Sequence, residues 1–355
     1  MKSTVYLIRC RSKDPDFIGS CLKRLINKAY DFDRLKQNAL IPIKLTVGEK
    51  GSRAHLHWKV LCPLVNKIKS KGAKPFFTDT NVIYGGKRRN AYDHTVLAHE
   101  RGYSLEGAGA PFIVADGLLG ASSQSIEVNF QHVKTIKVPP FIGIIEDLFV
   151  VSHVTGHMLS GFAASIKNVA MGLATRPGKQ MQHSSVKPVI TPDRCVLCGC
   201  CIAVCPEGAI SAQGSSAVID MERCIGCAEC IPACKYYAIE VQWEVDKRVF
   251  ARRMCEYARG ILSRISNTFF INCIFHITKE CDCLSKTDET IVDDIGIVAG
   301  DDILAVDKAA FDLVCAAAGK DVFQETQRVE THNDLFRYAE QIGLGSLEYE
   351  IVEVG

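Results

Sequence analysis

The chain has 355 residues, 47% hydrophobic and 23% charged, with 42 basic against 40 acidic side chains for a net charge of +2. This balance excludes a disordered chain, a collagen-like or coiled-coil rod, and an overall field that would draw the protein to nucleic acid or an anionic membrane. Seventeen cysteines are the anomaly: a chain this long can build its own core, so the thiols are read as metal ligands in a reducing compartment.

The apolar run at residues 5–8 is far too short for a signal sequence. The longest apolar stretch, residues 139–151, is broken by Glu146 and Asp147 and cannot span a bilayer. A cytoplasmic protein with no membrane span and no nucleic-acid partner is expected.

Strand-like and helix-like patterns alternate over residues 1–190. Residues 5–9 read as a strand, and Ile41, Ile43, Leu45 and Val47 alternate at period two. Trp58, Leu61, Val65 and Ile68 recur at helical spacing, and Gly72 stands where that helix would end. Residues 75–78 are strand-like and run into Asp79-Thr80-Asn81; residues 112–115 close on Asp116-Gly117. Residues 148–151 precede a Gly-rich stretch and a helix over 162–173. The same grammar resumes after residue 243, with a helix over 248–265, strands at 269–277 and 295–298, and Asp301 and Asp302 as caps of a further helix. Residues 347–354 close the chain with alternating polarity. The expectation is an α/β fold, a mostly parallel sheet with helices on its faces, in two parts (1–190 and 244–355) with a cysteine-dense insert at 191–243. Ligands then belong at the carboxyl ends of the strands.

Cys195, Cys198, Cys201 and Cys205 read C-x2-C-x2-C-x3-C, and Cys224, Cys227, Cys230 and Cys234 repeat that spacing 29 residues later. Arg194 and Arg223, Ile202 and Ile231, and Ala209-Ile210 and Ala238-Ile239 repeat with them, so this is an internal duplication. Three thiolates two residues apart can wrap one face of an iron–sulfur cube while the fourth points to the other cube. Cys195, Cys198, Cys201 and Cys234 are therefore expected to hold one 4Fe-4S cluster, and Cys224, Cys227, Cys230 and Cys205 the second. Zinc ribbons use two separated knuckles instead of this run. The doubled motif resembles bacterial two-cluster ferredoxins, departing from them in the extra Cys200 and in Lys235, where proline is usual. Residues 193–242 carry six acidic and three basic side chains, a face suited to a basic redox partner.

No phosphate-binding glycine motif occurs. The outer portion instead carries the strings GEKGS, PFFTDTNVIYGGKRRNAYDH, GAPFIVADGLLG, SHVTGHMLSGFAASIKNVAMGLATRPGK, ITKECDC and DDIGIVAGDDILAVD. Together these resemble domain-of-unknown-function family 362, in its members with an inserted ferredoxin domain. The resemblance implies an α/β scaffold with iron–sulfur clusters and an unassigned reaction, and it places Lys167 and Asn168 in a cleft. Lys167 and Asp79 are catalytic candidates, with Lys44, Asn81 and Asn168 as cofactor- or ligand-binding ones. Asp79, Thr80 and Asn81 equally suit a simple Asx turn. His153 and His157 have the i, i+4 separation of a metal pair, although Gly156 weakens a helix there. Lys87-Arg88-Arg89 reads as a solvated loop, with anion binding second. Cys10, Cys21, Cys62, Cys255, Cys273 and Cys315 read as small buried hydrophobes.

Cys281 and Cys283, one residue apart, point to one side if extended, and no disulfide is expected between them. Amid Glu280 and Asp282 they are read as catalytic candidates. They could also form an additional metal or cluster site with His153 and His157, facing the cleft beside Lys167. The sequence thus points to a cytoplasmic iron–sulfur redox protein of an anaerobic cell, an oxidoreductase if it is an enzyme, relaying electrons between a partner protein and a site of unassigned chemistry for an unknown small molecule. A redox-sensing binding or metallocofactor-maturation module is the alternative.

Overall fold

The computed structural model describes residues 2–183, 187–224, 226–240, 246–283, 289–327 and 330–355. Eight strands form its main sheet: β1 (Ser3–Arg9), β2 (Leu40–Lys44), β3 (Lys74–Asp79), β4 (Phe112–Val114), β5 (Asp147–His153), β6 (Asn267–Ile274), β7 (Gly296–Gly300) and β8 (Tyr349–Glu353). Their order is β8-β1-β7-β6-β5-β2-β3-β4. Only β7 runs against its neighbours, pairing antiparallel with β1 and β6, whereas the remaining pairs are parallel.

Both faces of the sheet are covered, which explains the near-continuous apolar runs of its central strands. Leu148, Val150, Phe270 and Val298 face one core, packed by helices α4 (Ser165–Gly172), α8 (Lys247–Leu262) and α9 (Ile303–Ala318). The intervening Phe149, Val151, Ile271, Ile297 and Ala299 face the other, under α1 (Pro15–Ala29), α2 (Cys62–Ser70) and α3 (Ala91–Glu100). Asp302 caps α9, its carboxylate accepting from Leu304 N at 2.9 Å and Ala305 N at 3.0 Å. Between α4 and α8 lies α5 (Arg176–His183), with the short α6 (Cys200–Ala203) and α7 (Cys230–Ala233) in the cysteine-rich stretch.

Several expected boundaries move for local reasons. The helix expected from Trp58 begins as a 3-10 turn, Trp58–Leu61, and becomes α-helical only at Cys62, where Pro63 occupies the first turn. The helix expected from Phe162 starts at Ser165, because Gly161–Ala163 pairs as a strand with Thr155–His157. Consequently His153 ends β5 and His157 lies on a separate strand, so the helical i, i+4 spacing expected of them does not occur.

The strand β2 leads outward to β3 and β4, while β5, beside β2, leads the other way to β6. Chain connections therefore diverge between β2 and β5, and a crevice opens at their carboxyl ends.

Residues 189–240 form a small unit with a core of ten buried residues, three of them cysteines. Val189–Ile190 pairs with Ile239–Glu240, and Ile210–Gln213 pairs with Ser216–Ile219. Ile190 lies opposite Ile239 and Ile219 opposite Ile210, the same pairing displaced by 29 residues. Left-handed backbone recurs at the same displacement: Leu197 and Gly226, Gly199 and Ala228, Gly208 and Tyr237 all have positive φ. The duplication is one of conformation as well as sequence, and each half pairs its strands with the other half.

Candidate functional site

The crevice is a cleft of about 120 Å³. From the end of β2, the fully buried Lys44 Nζ donates to Leu45 O at 2.9 Å and to Asn168 Oδ1 at 2.6 Å, and lies 3.1 Å from Asp79 Oδ1. Asp79 ends β3. Its second oxygen lies 3.7 Å from Arg88 Nη1 and 3.8 Å from His94 Nε2. Burial pushes the Asp79 carboxyl upward, but Lys44, His94, Arg88 and Lys179 outweigh it and hold the group below its ordinary value. Burial lowers Lys44, with Asp79 opposing it. His94, pushed down to about 3 chiefly by burial, is neutral.

Arg88 is buried and not solvated as expected: it pairs with Glu49 at 3.4 Å and donates to Tyr84 Oη at 2.6 Å. The short 3-10 turn Lys87–Arg89 turns it inward, leaving Lys87 exposed. Asn81 also departs from expectation. Its amide donates to Asp116 Oδ1 at 2.8 Å and Gly117 O at 2.7 Å, so it locks the loop after β3 and does not line the cleft. Asn168 does line it, anchored by donating to Val151 O at 2.9 Å and Ser152 Oγ at 3.0 Å.

Helix α4 carries Lys167 into the cleft. Its N-terminus is held from a distance: Asp307 on α9 accepts from Ser165 N at 2.8 Å and Ile166 N at 2.9 Å. Lys167 Nζ lies 3.0 Å from Cys281 Sγ and 3.5 Å from Cys283 Sγ, and burial lowers it to about 8. Lys179 of α5, also lowered to about 8 by burial, donates to Ala174 O at 2.7 Å and to Thr80 Oγ1. Neither lysine has a carboxylate within 4 Å among the described residues.

Cys281 and Cys283 are joined by a disulfide, which overturns the expected extended thiol pair. The reason is local: Asp282 and Cys283 form a turn, not a strand, and bring the two Cα atoms to 5.3 Å. Glu49 N donates to Asp282 O at 2.9 Å and Arg88 Nη2 to Cys283 O at 3.1 Å, fixing that turn against the cleft. Asp282 lies 3.6 Å from His153 Nδ1, while His153 Nε2 donates to Phe275 O at 2.6 Å. Burial raises the Asp282 carboxyl, but His153, Arg88 and Lys167 hold it lower on balance. His157 Nδ1 accepts from Ser160 N at 3.2 Å, and burial holds the ring well below the usual imidazole range. His153, His157, Cys281 and Cys283 share one cleft wall, yet the sulfurs are bonded to each other. Among the described residues no three His, Cys, Asp or Glu side chains converge as a metal-holding group.

The motif cysteines line two further cavities. One is walled by Cys195, Cys198, Cys201 and Cys234; the other by Cys205, Cys224, Cys227 and Cys230. Four thiols spaced around a volume suit a polynuclear group, each sulfur meeting a different metal atom, and differ from ligands converging on one ion. Backbone amides point at the sulfurs: Ala217 N at Cys195, Ala209 N at Cys205 and Ala238 N at Cys234, each at 3.3 Å. Cys200 is exposed and lines neither cavity.

The unit is attached close to the cleft. Lys137 pairs with Glu229 at 2.6 Å, α5 packs on α7, and the Arg89 guanidinium lies 3.6 Å above the Tyr237 ring, three residues beyond Cys234. Sequence reasoning missed Lys179, Glu49 and the inward role of Arg88. A lysine following the helical Arg176-Pro177-Gly178 and an acid in GEKGS carry no spacing that marks them; only the assembled strand ends bring them together.

The chain matches the family described as Domain of unknown function (DUF362) over residues 41–312. No curated protein matches it. Among solved structures it is similar to a Thermotoga maritima protein (12% identity, TM-score 0.47, covering 88% of this chain and 60% of that one). It is also similar to the lactate racemase apoprotein from Thermoanaerobacterium thermosaccharolyticum (12% identity, TM-score 0.43, covering 83% of this chain). The chain thus spans 60% and 54% of the lengths of these two proteins.

Proposed function

We propose that this chain, which belongs to the family described as Domain of unknown function (DUF362), is an iron–sulfur redox protein. Residues 191–243 would be an inserted ferredoxin-like domain with two 4Fe-4S clusters, exchanging electrons with the α/β cleft. One observation carries the reading: the eight motif cysteines wall two cavities in crossed sets, three from one repeat and one from the other. Cys234 joins the first repeat's cavity and Cys205 the second's, the division that paired cubes require.

The clusters supply one-electron uptake and release. The chain's own residues do the remainder. Amide donors at Cys195, Cys205 and Cys234 withdraw charge from the sulfurs and stabilise the reduced state. Lys137–Glu229 and Arg89–Tyr237 hold the unit against the body near the cleft. The acidic excess of residues 193–242 suits docking of a basic electron-carrier protein.

Anaerobic purification followed by iron and sulfide assay tests the reading. About eight irons and matching sulfide per chain are expected, with spin-coupled paramagnetic signals after reduction. Stoichiometric zinc without sulfide would overturn it. Continuous oxidation of a reduced donor on adding substrate would mark an oxidoreductase, whereas uptake of a fixed number of electrons would mark the sensing alternative.

A further inference from the structure

Resting on the iron–sulfur reading, we infer that the Cys281–Cys283 disulfide is the two-electron centre of the α/β cleft, cycling between disulfide and dithiol with Lys167 as the cation facing both sulfurs. Three features of the structure support it. First, both sulfurs line the cleft and neither is a packing thiol: Lys167 Nζ stands 3.0 Å from one and 3.5 Å from the other. An ammonium at that range stabilises a developing thiolate more than a neutral disulfide, so it favours the reduced pair. Second, Lys167 is positioned for the task by α4, whose first two amides are held by Asp307, and no carboxylate within 4 Å among the described residues competes for its charge. Third, a continuous line of contacts joins the pair to the cysteine unit. Arg88 donates to the Cys283 carbonyl, and its neighbour Arg89 covers Tyr237, three residues from Cys234.

The step balances as follows. Two electrons enter one at a time from a low-potential one-electron carrier protein by way of the cysteine unit, and the S–S bond breaks. Each sulfur gains one electron and one proton, giving two thiols. The protons come from water through the open cleft, the first passing by way of the Lys167 ammonium. The reverse reaction releases two electrons and two protons.

The test uses the anaerobically purified full chain. The protein is treated with dithionite-reduced methyl viologen, quenched in acid and alkylated after denaturation, and the label at each cysteine is mapped by mass spectrometry. Cys281 and Cys283 should be unlabelled in the oxidised protein and doubly labelled after reduction. In Cys230→Ser, viologen-driven labelling should slow at least ten-fold, while dithiothreitol, which exchanges with disulfides directly, should still reduce the pair. In a glutathione redox buffer Lys167→Met should shift the pair at least ten-fold toward disulfide, about 30 mV, and Lys167→Arg should restore it. If the pair is labelled in the oxidised protein, or stays unlabelled while paramagnetic spectra show reduced clusters, the inference is overturned and the iron–sulfur reading stands. If the purified protein contains no iron or sulfide, the iron–sulfur reading itself fails, and the inference loses its electron source with it.

Discussion

The cysteine unit and the cleft are assembled in opposite ways. Every described residue walling the two cysteine cavities falls between Pro188 and Ile239, and the cysteine spacing is written directly in the chain. The cleft draws its walls from Thr46 to Cys283, with Asp79, His153 and Lys167 each supplied by a different strand end or helix. The two regions differ just as much in what stabilises them. Among the described residues the unit has a small core of ten buried residues. The body has two extensive cores, one on each face of its sheet, and can bury charge beside them. The one site is built from a short stretch of chain, whereas the other, built from distant segments, depends on the fold.

The largest test of that contrast removes ligands. Cys224→Ser/Cys230→Ser should abolish amide-exchange protection across residues 189–240 and leave the protection of β5 and β6 intact. Persistent protection in the unit would show that its core stands alone. Next in size is the cleft's buried charge. Lys44→Met removes the cation nearest to Asp79, leaving the buried carboxylate with Arg88, His94 and the more distant Lys179, and should cost about 3 kcal/mol or more in denaturant unfolding. Lys44→Met/Asp79→Asn should recover much of that loss.

A third effect is pH-dependent. Burial raises Asp307 to about 6 from an ordinary value near 3.8, so the folded protein holds a proton that the unfolded chain has lost. Stability should accordingly fall as pH rises from about 4 through about 6, by on the order of 3 kcal/mol. Asp307→Asn should flatten that slope, as followed by thermal unfolding against pH. The smallest effect is the most local. Asp302→Ala removes the α9 cap and should cost about 1 kcal/mol, nearer 2 because Ser3 and Ser346 also donate to that carboxylate.

The same contrast explains what was legible in advance. The alternation of strands and helices and the Asp302 cap could be read because period and capping act over a few residues. Alternation of Ile41, Ile43, Leu45 and Val47 caught β2 in its first half, since the strand ends at Lys44, and could not show that Lys44, on the opposite phase, would be buried against Asp79. Arg88 read as solvated because a run of three cations resembles a loop; its inward turn depends on Glu49, remote in sequence. Asn81 and Asp79 stood equal as strand-end polar residues, and only the position of Asp116 separated them. At Cys281 the assumption of an extended backbone decided the expectation, and a single turn at Asp282 reversed it.

The exchanged strand pairing within residues 189–240 bears on ancestry. A single repeat of that unit leaves both of its strands unpartnered and its three-cysteine cavity one cysteine short, so half the unit is not a smaller version of the whole. Two separate copies of a 29-residue segment related by a two-fold axis would meet the same pairings and close the same two cavities. Joining them end to end converts an encounter between molecules into an intramolecular one. The duplicated unit thus has the exchanged pairing that a two-fold symmetric pair of repeats would make, so a substitution in one half falls on a strand pair or cavity that the other half shares.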